Sequence, residues 1–445
     1  MLGSVIYNLF SVKLRILKIL KNLTTPTNRD LRQAACLALT IAVQIWKDHY
    51  MKKYTTYFND IKAFLTSKEP DMFASLEELV TIQSGSHNKT GIDQTASVIV
   101  RAFQGHAVST EMLEQRLQGN NLVVRSSAQP SAHKQVLLVG HMDTVFPQDT
   151  DFNWYKTDDD KSYGPGVVDM KGGLVVGIYA LKALDKLGLL KQIPITFVFN
   201  SDEEIGSRGS VDLIQKEASS SAFAFVLEAG GLENEIVTGR KGNLTIELHI
   251  EGQAGHAAFA SKDKPSAILE MAHKIIEFES LNNFDKGITI NVGKIDGGIG
   301  SNTIPEFSNA QVDFRFMDPS DLKKLEEKVA EIANKVVIQG TRCRVDVISG
   351  RPPMQQSPGN RSLFQTTADI ANCMGYPVKE QFRFGVSDAN FIADLNVPVL
   401  DGLGPIGGRD HSRDEYMIKD SLLQRTLLLS CSIIECWRNA ESCRP

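Results

Sequence analysis

No CxxC pair and no histidine at zinc-finger spacing accompanies the six cysteines (Cys36, Cys343, Cys373, Cys431, Cys436, Cys443). Neither a thiolate metal site nor a disulfide framework tied to an oxidising compartment is therefore indicated. A broad positive surface is also missing: 48 Lys and Arg stand against 53 Asp and Glu, a net charge of -5. That balance excludes nucleic acid as the main partner, because nothing is available to wrap a phosphate backbone. No apolar run reaches the roughly 20 residues that cross a bilayer. The run AACLALTIAVQIW, Ala34 to Trp46, has 13 residues, lies far from Met1 and is followed by no small-residue cleavage site; it reads as a buried helix. Internal repeats and low-complexity tracts are absent. What is left, 445 residues at 42% hydrophobic and 23% charged, is ordinary globular composition long enough for two domains or more.

One local absence is informative. No acidic residue precedes Asp30, whereas Lys13, Arg15, Lys18, Lys21 and Arg29 are basic, and Leu2, Val5, Leu9, Ile16 and Leu20 fall near helical spacing. A basic amphipathic helix that contacts a membrane surface competes here with a helix packed on the main body. The cytoplasm is the expected compartment, with peripheral membrane contact or export as the alternatives this extension leaves open. Residues 1–70 are read as a separate helical extension.

From Met72 the pattern becomes regular. FASLEELVTI and IDQTASVIVRAF read as helices separated by QSGS. NLVVRS, QVLLVG, ITFVFN and AFAFVLE read as strands, and a long helix with small residues at its start, GGLVVGIYALKALDKLGLL, lies between the second and third. Strand, helix, strand at this spacing predicts an α/β fold, a largely parallel sheet covered by helices, with its active site at the C-terminal strand ends. From residue 241 to 352 the order becomes strand, helix, strand, strand, helix, strand, which predicts an inserted ferredoxin-like α+β unit. Residues 71–240 and 353–445 are then the two parts of the α/β domain.

The chemistry collects at the strand ends. QVLLVG is followed by His141 and Asp143, the loop YGPGVVDMKGG carries Asp169, ITFVFN is followed by Asp202, Glu203 and Glu204, AFAFVLE ends in Glu228, and GLGPIGGRDHSRDEY supplies His411. Each piece alone has a bland reading as an N-cap, a surface pair or a solvated turn. Together they form a donor set of imidazoles and carboxylates without thiolate, suited to zinc, with cobalt or manganese as alternatives. Four carboxylates at one sheet edge repel one another unless cations lie between them, and with two imidazoles this favours two ions over one. Asp169 is read as the bridge, His141 pairing with Glu228 and His411 with Glu204. Asp143 would accept the other ring N–H of His141, and Glu203, left over, is where a general base for the attacking water belongs.

HMDTVFP, YGPGVVDMKGG, FNSDEEIGSRGS, FVLEAGG, GQAGHAAFA, SNTIP with RFM, GRPPM, GVSDANF and HSRDEY, in this order over about residues 72–437, resemble the co-catalytic zinc aminoacylases, dipeptidases and carboxypeptidases, and within them the glutamate carboxypeptidase branch. The resemblance implies His141, Asp169, Glu204, Glu228 and His411 as ligands of two zinc ions per subunit, Glu203 as base, Asp143 behind His141, and a cis peptide after Asp169. It further implies a homodimer formed through the inserted domain, His256 stabilising an oxyanion in the partner's active site, and Asn302, Arg315 and Arg351 binding a substrate carboxylate. The bland alternatives are that His256 caps a turn and that Arg315 is a paired strand residue. Gly255 replaces the usual serine before this histidine, Ala258 replaces the usual glycine after it, and the first seventy residues have no counterpart in the motifs.

The expected function is a dinuclear zinc hydrolase cleaving an amide or peptide bond beside a free carboxylate, a carboxypeptidase acting on a small peptide. An N-acyl-amino-acid deacylase or dipeptidase is the enzymatic alternative, and a binding protein that has lost activity is the alternative of another class.

Overall fold

A computed structural model describes residues 57–128 and 134–442. The basic N-terminal segment and the apolar run Ala34 to Trp46 lie outside the described residues. Among the described residues no helix is long and apolar enough to cross a membrane. The chain divides into two units, Met1–Asp60 and Ile61–Pro445, and every strand among the described residues belongs to the second.

Helix α1 occupies residues 61–81 of this second unit, followed by α2 (Lys89–Ala102), β1 (Val108–Leu113), β2 (Asn121–Ser126), β3 (Gln135–His141), α3 (Lys171–Lys186), β4 (Ile195–Asn200), α4 (Val211–Ser219) and β5 (Ser221–Val226). With β12 (Val399–Leu400) these strands form a six-stranded sheet ordered β1, β2, β4, β3, β5, β12. The neighbours β4, β3, β5 and β12 run parallel, and β2 and β1 extend the sheet antiparallel. Strand β4 is buried throughout and β3 nearly so, as a sheet covered on both faces requires. The edge strand β1 was invisible to pattern reading because VSTEML is exposed along most of its length and has no apolar alternation.

The order of these strands selects where a site can form. From β3 the chain crosses to β4 on one side, and from β4 it crosses back over β3 to reach β5 on the other. This reversal opens a crevice at the C-terminal end of β3. Helix α3 closes onto the sheet because its small residues permit it: a Cβ at Gly173 would lie 1.9 Å from the Leu227 carbonyl oxygen, and one at Gly177 2.3 Å from the Phe197 ring. On the opposite face Leu137, Val139, Val198, Ala224 and Val226 pack with Ile214 and Ala218 of α4.

The second part resumes after β6 (Glu235–Arg240) with β7 (Gly242–Glu251), α5 (Ala267–Glu279), β8 (Thr289–Gly297), β9 (Phe307–Phe316), α6 (Pro319–Asn334) and β10 (Arg342–Arg351). Its four-stranded antiparallel sheet is ordered β8, β9, β7, β10, the ferredoxin-like arrangement expected from the sequence. Alternating residues of β7 and β9, among them Leu244, Ile246, Leu248, Val312 and Phe314, pack with Met271 and Phe278 of α5 and Leu325 and Val329 of α6. The chain then returns through α7 (Pro358–Cys373), β11 (Lys379–Arg383), which pairs with β6, α8 (Ala389–Asp394) and β12 to the long helix α9 (Lys419–Ser442), which packs on α3 and α7.

Because the obstacle at Gly173 is a backbone carbonyl, which no rotamer change can move aside, Gly173→Ala is expected to destabilise the fold by about 1–3 kcal/mol. A lowered urea midpoint at an unchanged slope is the outcome that urea unfolding of the variant beside the parent should record.

Candidate active site

His141 is the last residue of β3 and is almost wholly buried. The parallel register pairs it with Asn200 and pairs Val139 with Val226. The segment after β4 therefore lies on one side of His141 and Glu228, two residues beyond Val226, on the other. Its Nε2 is 3.3 Å from Asp169 Oδ1 and 3.6 Å from Glu228 Oε1. Its Nδ1 lies 3.0 Å from the backbone oxygen of Asp143. With that carbonyl as acceptor Nδ1 carries the hydrogen, and Nε2 faces the carboxylates.

Asp169 stands between two imidazoles. Its Oδ1 faces His141, and its Oδ2 is 3.2 Å from His411 Nε2, which is also 3.3 Å from Glu204 Oε2. The peptide between Asp169 and Met170 is cis. His411, half exposed, sits on a loop where both it and Arg409 have φ of 59°. Donor atoms of His141, Asp169 and Glu228 lie within 4.8 Å of one another, as do those of Asp169, Asp410 and His411. Glu204 Oε1 is buried without a hydrogen-bond partner. An orphaned carboxylate oxygen and two imidazoles on opposite oxygens of one aspartate are the features of a donor set that fits divalent ions.

The electrostatics agree. Burial opposes protonation of His141, but Glu228, Asp143 and Asp169 outweigh it and hold its pKa well above the ordinary value. Hydrogen bonds to Asp169 and Glu204 raise His411 to about 11. Burial pushes Glu204 up to about 8 and raises Glu228 well above the carboxylate range. Asp169, although buried, is held far below that range by both histidines.

The remaining predicted residues fall into two places. Glu203, adjacent in sequence to Glu204, turns away from it: its Oε1 is 2.8 Å from Nη1 of Arg351, the last residue of β10. Arg351 also donates to the Glu203 backbone oxygen and to Ser207, at 3.0 and 2.8 Å, and lies 3.4 Å from Asp388. A guanidinium expected to receive a substrate carboxylate is thus engaged by the candidate base. His256 and Asn302, both exposed, are brought near each other by the pairing of 255–256 with 303–304, outside the metal-ligand cluster. The His256 ring accepts the Ala258 N–H at 3.1 Å, so the turn-capping geometry is present. Arg315 is paired with Asp313 at 2.7 Å.

Asp143 accepts the other ring N–H of His141, as expected, but chiefly through its main chain. Its backbone oxygen is the closest acceptor for His141, with the carboxylate at 3.4 Å. That carboxylate also accepts the N–H groups of Glu203 and Glu204, both at 3.2 Å, and the Ser86 hydroxyl at 2.7 Å. The reason is local: residues 203–205 form a single helical turn whose first amides need an acceptor. QSGS, read only as a helix stop, is a brace: Ser84 donates to the Met142 carbonyl at 2.8 Å and Ser86 to Asp143. Asp410 and Glu415 were also missed. Both flank His411 in sequence, which was the available signal.

At pH 7 both histidines and Glu204 would hold protons that a divalent ion must displace. Loading the metal-free protein at that pH is therefore expected to release roughly three protons, one from each of these groups. Calorimetry in buffers of different ionisation enthalpy measures the number, and a heat independent of buffer would contradict this electrostatic account.

Residues 137–435 match the family model described as peptidase family M20/M25/M40. Carboxypeptidase G2 of Pseudomonas sp. (strain RS-16) is 28% identical over 374 residues, covering 83% of this chain and 90% of that protein. Succinyl-diaminopimelate desuccinylase of Shewanella piezotolerans is 28% identical over 285 residues, covering 60% and 72%. An M20 family metallo-carboxypeptidase of Sulfolobus solfataricus superposes with a TM-score of 0.67 at 18% identity, over 81% of this chain and 98% of that one, a likeness of fold. With a family match that spans 299 residues, 137 through 435, the chain belongs to peptidase family M20/M25/M40 and is a hydrolytic enzyme.

Proposed function

We propose that this metallohydrolase is a dinuclear zinc carboxypeptidase that cleaves an amide or peptide bond beside a free carboxylate and releases a C-terminal amino acid such as glutamate. The observation that carries the reading is the placement of Asp169, with one imidazole on each of its carboxylate oxygens. His141 and Glu228 would hold one ion, His411 and Glu204 the other, and Asp169 both. The ions, when bound, acidify a water and polarise the scissile carbonyl. Glu203 accepts the proton of the attacking water and delivers it to the leaving amine. Its neighbour Arg351 keeps it oriented and apart from the ligand set.

Carboxypeptidase G2 supports the peptidase reading through its likeness over most of both chains. The desuccinylase relatives support a second reading, an N-acyl-amino-acid deacylase on the same scaffold. The inserted domain supplies the rest: His256 is exposed and stands outside its own chain's metal-ligand cluster, as a residue serving the other subunit of a homodimer would. In that arrangement His256 donates to the developing oxyanion across the interface, while Asn302 and Arg315 approach the substrate carboxylate.

Metal analysis tests the site that both readings share, and substrate preference decides between them. Metal analysis should return two zinc per chain, and hydrolysis of C-terminal glutamyl peptides should exceed that of N-acetyl and N-succinyl amino acids; the reverse preference would favour the deacylase. Glu203→Gln is expected to lower kcat by about 10²–10⁴-fold with both metals retained, and full activity in that variant would remove Glu203 from the role of base. His256→Ala should cost about 10²–10³-fold in kcat. Mixing it with Glu203→Gln under subunit exchange should restore activity, because one mixed site carries neither lesion; no recovery would exclude action across a dimer.

A further inference from the structure

The carboxylate of Glu415 is buried to 1% exposure, and it is committed to backbone amides. Oε1 accepts the N–H groups of Val168 and Asp169 at 2.9 and 3.0 Å, and Oε2 that of Gly166 at 2.9 Å. These amides belong to the loop that presents Asp169, and Glu415 belongs to the loop that presents His411. One side chain therefore ties together two ligand-bearing segments 246 residues apart in sequence. Lys171, also fully buried and pushed down to about 7 by that burial, anchors the same loop by donating to the Ile82 carbonyl at 2.7 Å.

The two halves of the site are supported unequally. His141 ends a central strand and is braced through Ser84, Ser86 and Asp143. His411 is half exposed at the tip of a hairpin whose strands, 407–408 and 416–418, fix only its base. We propose that Glu415 is a positioning residue that sets the distance between Asp169 and His411, so that affinity at the His411–Glu204 side depends on it much more than affinity at the His141–Glu228 side. This rests on the dinuclear reading of the site. A glutamine at this position has one oxygen for three donors and places its own N–H groups against an amide, so the tie loosens without a change of volume. Loss of charge alone would act on both ions alike, whereas loss of position acts mainly on the one beside His411.

The test is cobalt(II) titration of the full chain, followed by visible absorption and calorimetry, for the parent, Glu415→Gln and Glu415→Asp, with unfolding in EDTA measured alongside. The parent should bind two equivalents. Glu415→Gln should bind the first within about threefold of the parent and the second about 10–100-fold more weakly, with Glu415→Asp, which keeps the charge, falling between. Two equivalents bound as in the parent, or both weakened equally, would overturn the inference, as would loss of metal-free stability with binding intact. If Glu415→Gln does not fold, Glu415→Asp is judged by the same criteria; failure of both to fold would make Glu415 a structural tie and overturn the proposal. A parent that binds one equivalent would overturn the dinuclear reading itself, and this inference with it.

Discussion

A carboxylate within 3.3 Å of two imidazoles, with a further carboxylate facing each of the same two ring nitrogens, holds together only when positive charge fills the gaps. Without ions protons do this: the facing carboxylates raise both histidines, and burial, with Asp169 beside it, raises Glu204 to about 8. The cluster is thus a set of acids and bases whose protonation is a substitute for metal. The surrounding structure holds these groups at fixed spacing despite their repulsion. Strand β3 ends where the crossovers reverse, and α3 lies close enough on its glycines to deliver Asp169 to that point.

The supports are mostly neutral or self-compensating. Ser84, Ser86 and the backbone of Asp143 fix the His141 side, and the charge of Asp143 is absorbed by the two amides opening the 203–205 turn. Glu415 is treated in the same way by three amides. Carboxylates aimed at N–H groups add order near the site without placing more unpaired charge in it. Burial nevertheless pushes Glu415 up to about 7 against the pull of those amides, a measure of how dry this layer is.

What could be read from the sequence came from strand ends and residue type. Apolar runs such as QVLLVG and ITFVFN locate the sheet, and a histidine or acid directly after each run can only be at its edge, so the ligand candidates were legible. The βαββαβ order of the inserted unit was legible from its central strands, Gly242–Glu251 and Phe307–Phe316, in which inward and outward residues alternate. Supports were not legible, because hydrogen bonds to backbone groups carry no periodicity. Nothing in QSGS distinguishes a brace from a helix stop, and nothing in HSRDEY says that Glu415 reaches three amides across the molecule. The destination of the Asp143 carboxylate depended on the unsatisfied amides of a turn that only the fold creates.

Glu203 and Glu204 show how adjacent, chemically similar residues are given different parts. In the single helical turn 203–205 successive side chains point about 100–120° apart, so both cannot enter the same cluster. Glu204 turns to His411 and retains one unpartnered oxygen. Glu203 turns to Arg351, at the point where the inserted domain rejoins the α/β domain. A guanidinium is permanently charged and cannot be displaced by deprotonation, so Arg351 restrains Glu203 from joining the ligands. The distinction between a residue that could bind an ion and one that could move a proton therefore rests on direction, fixed by the turn and by the arginine at the domain junction.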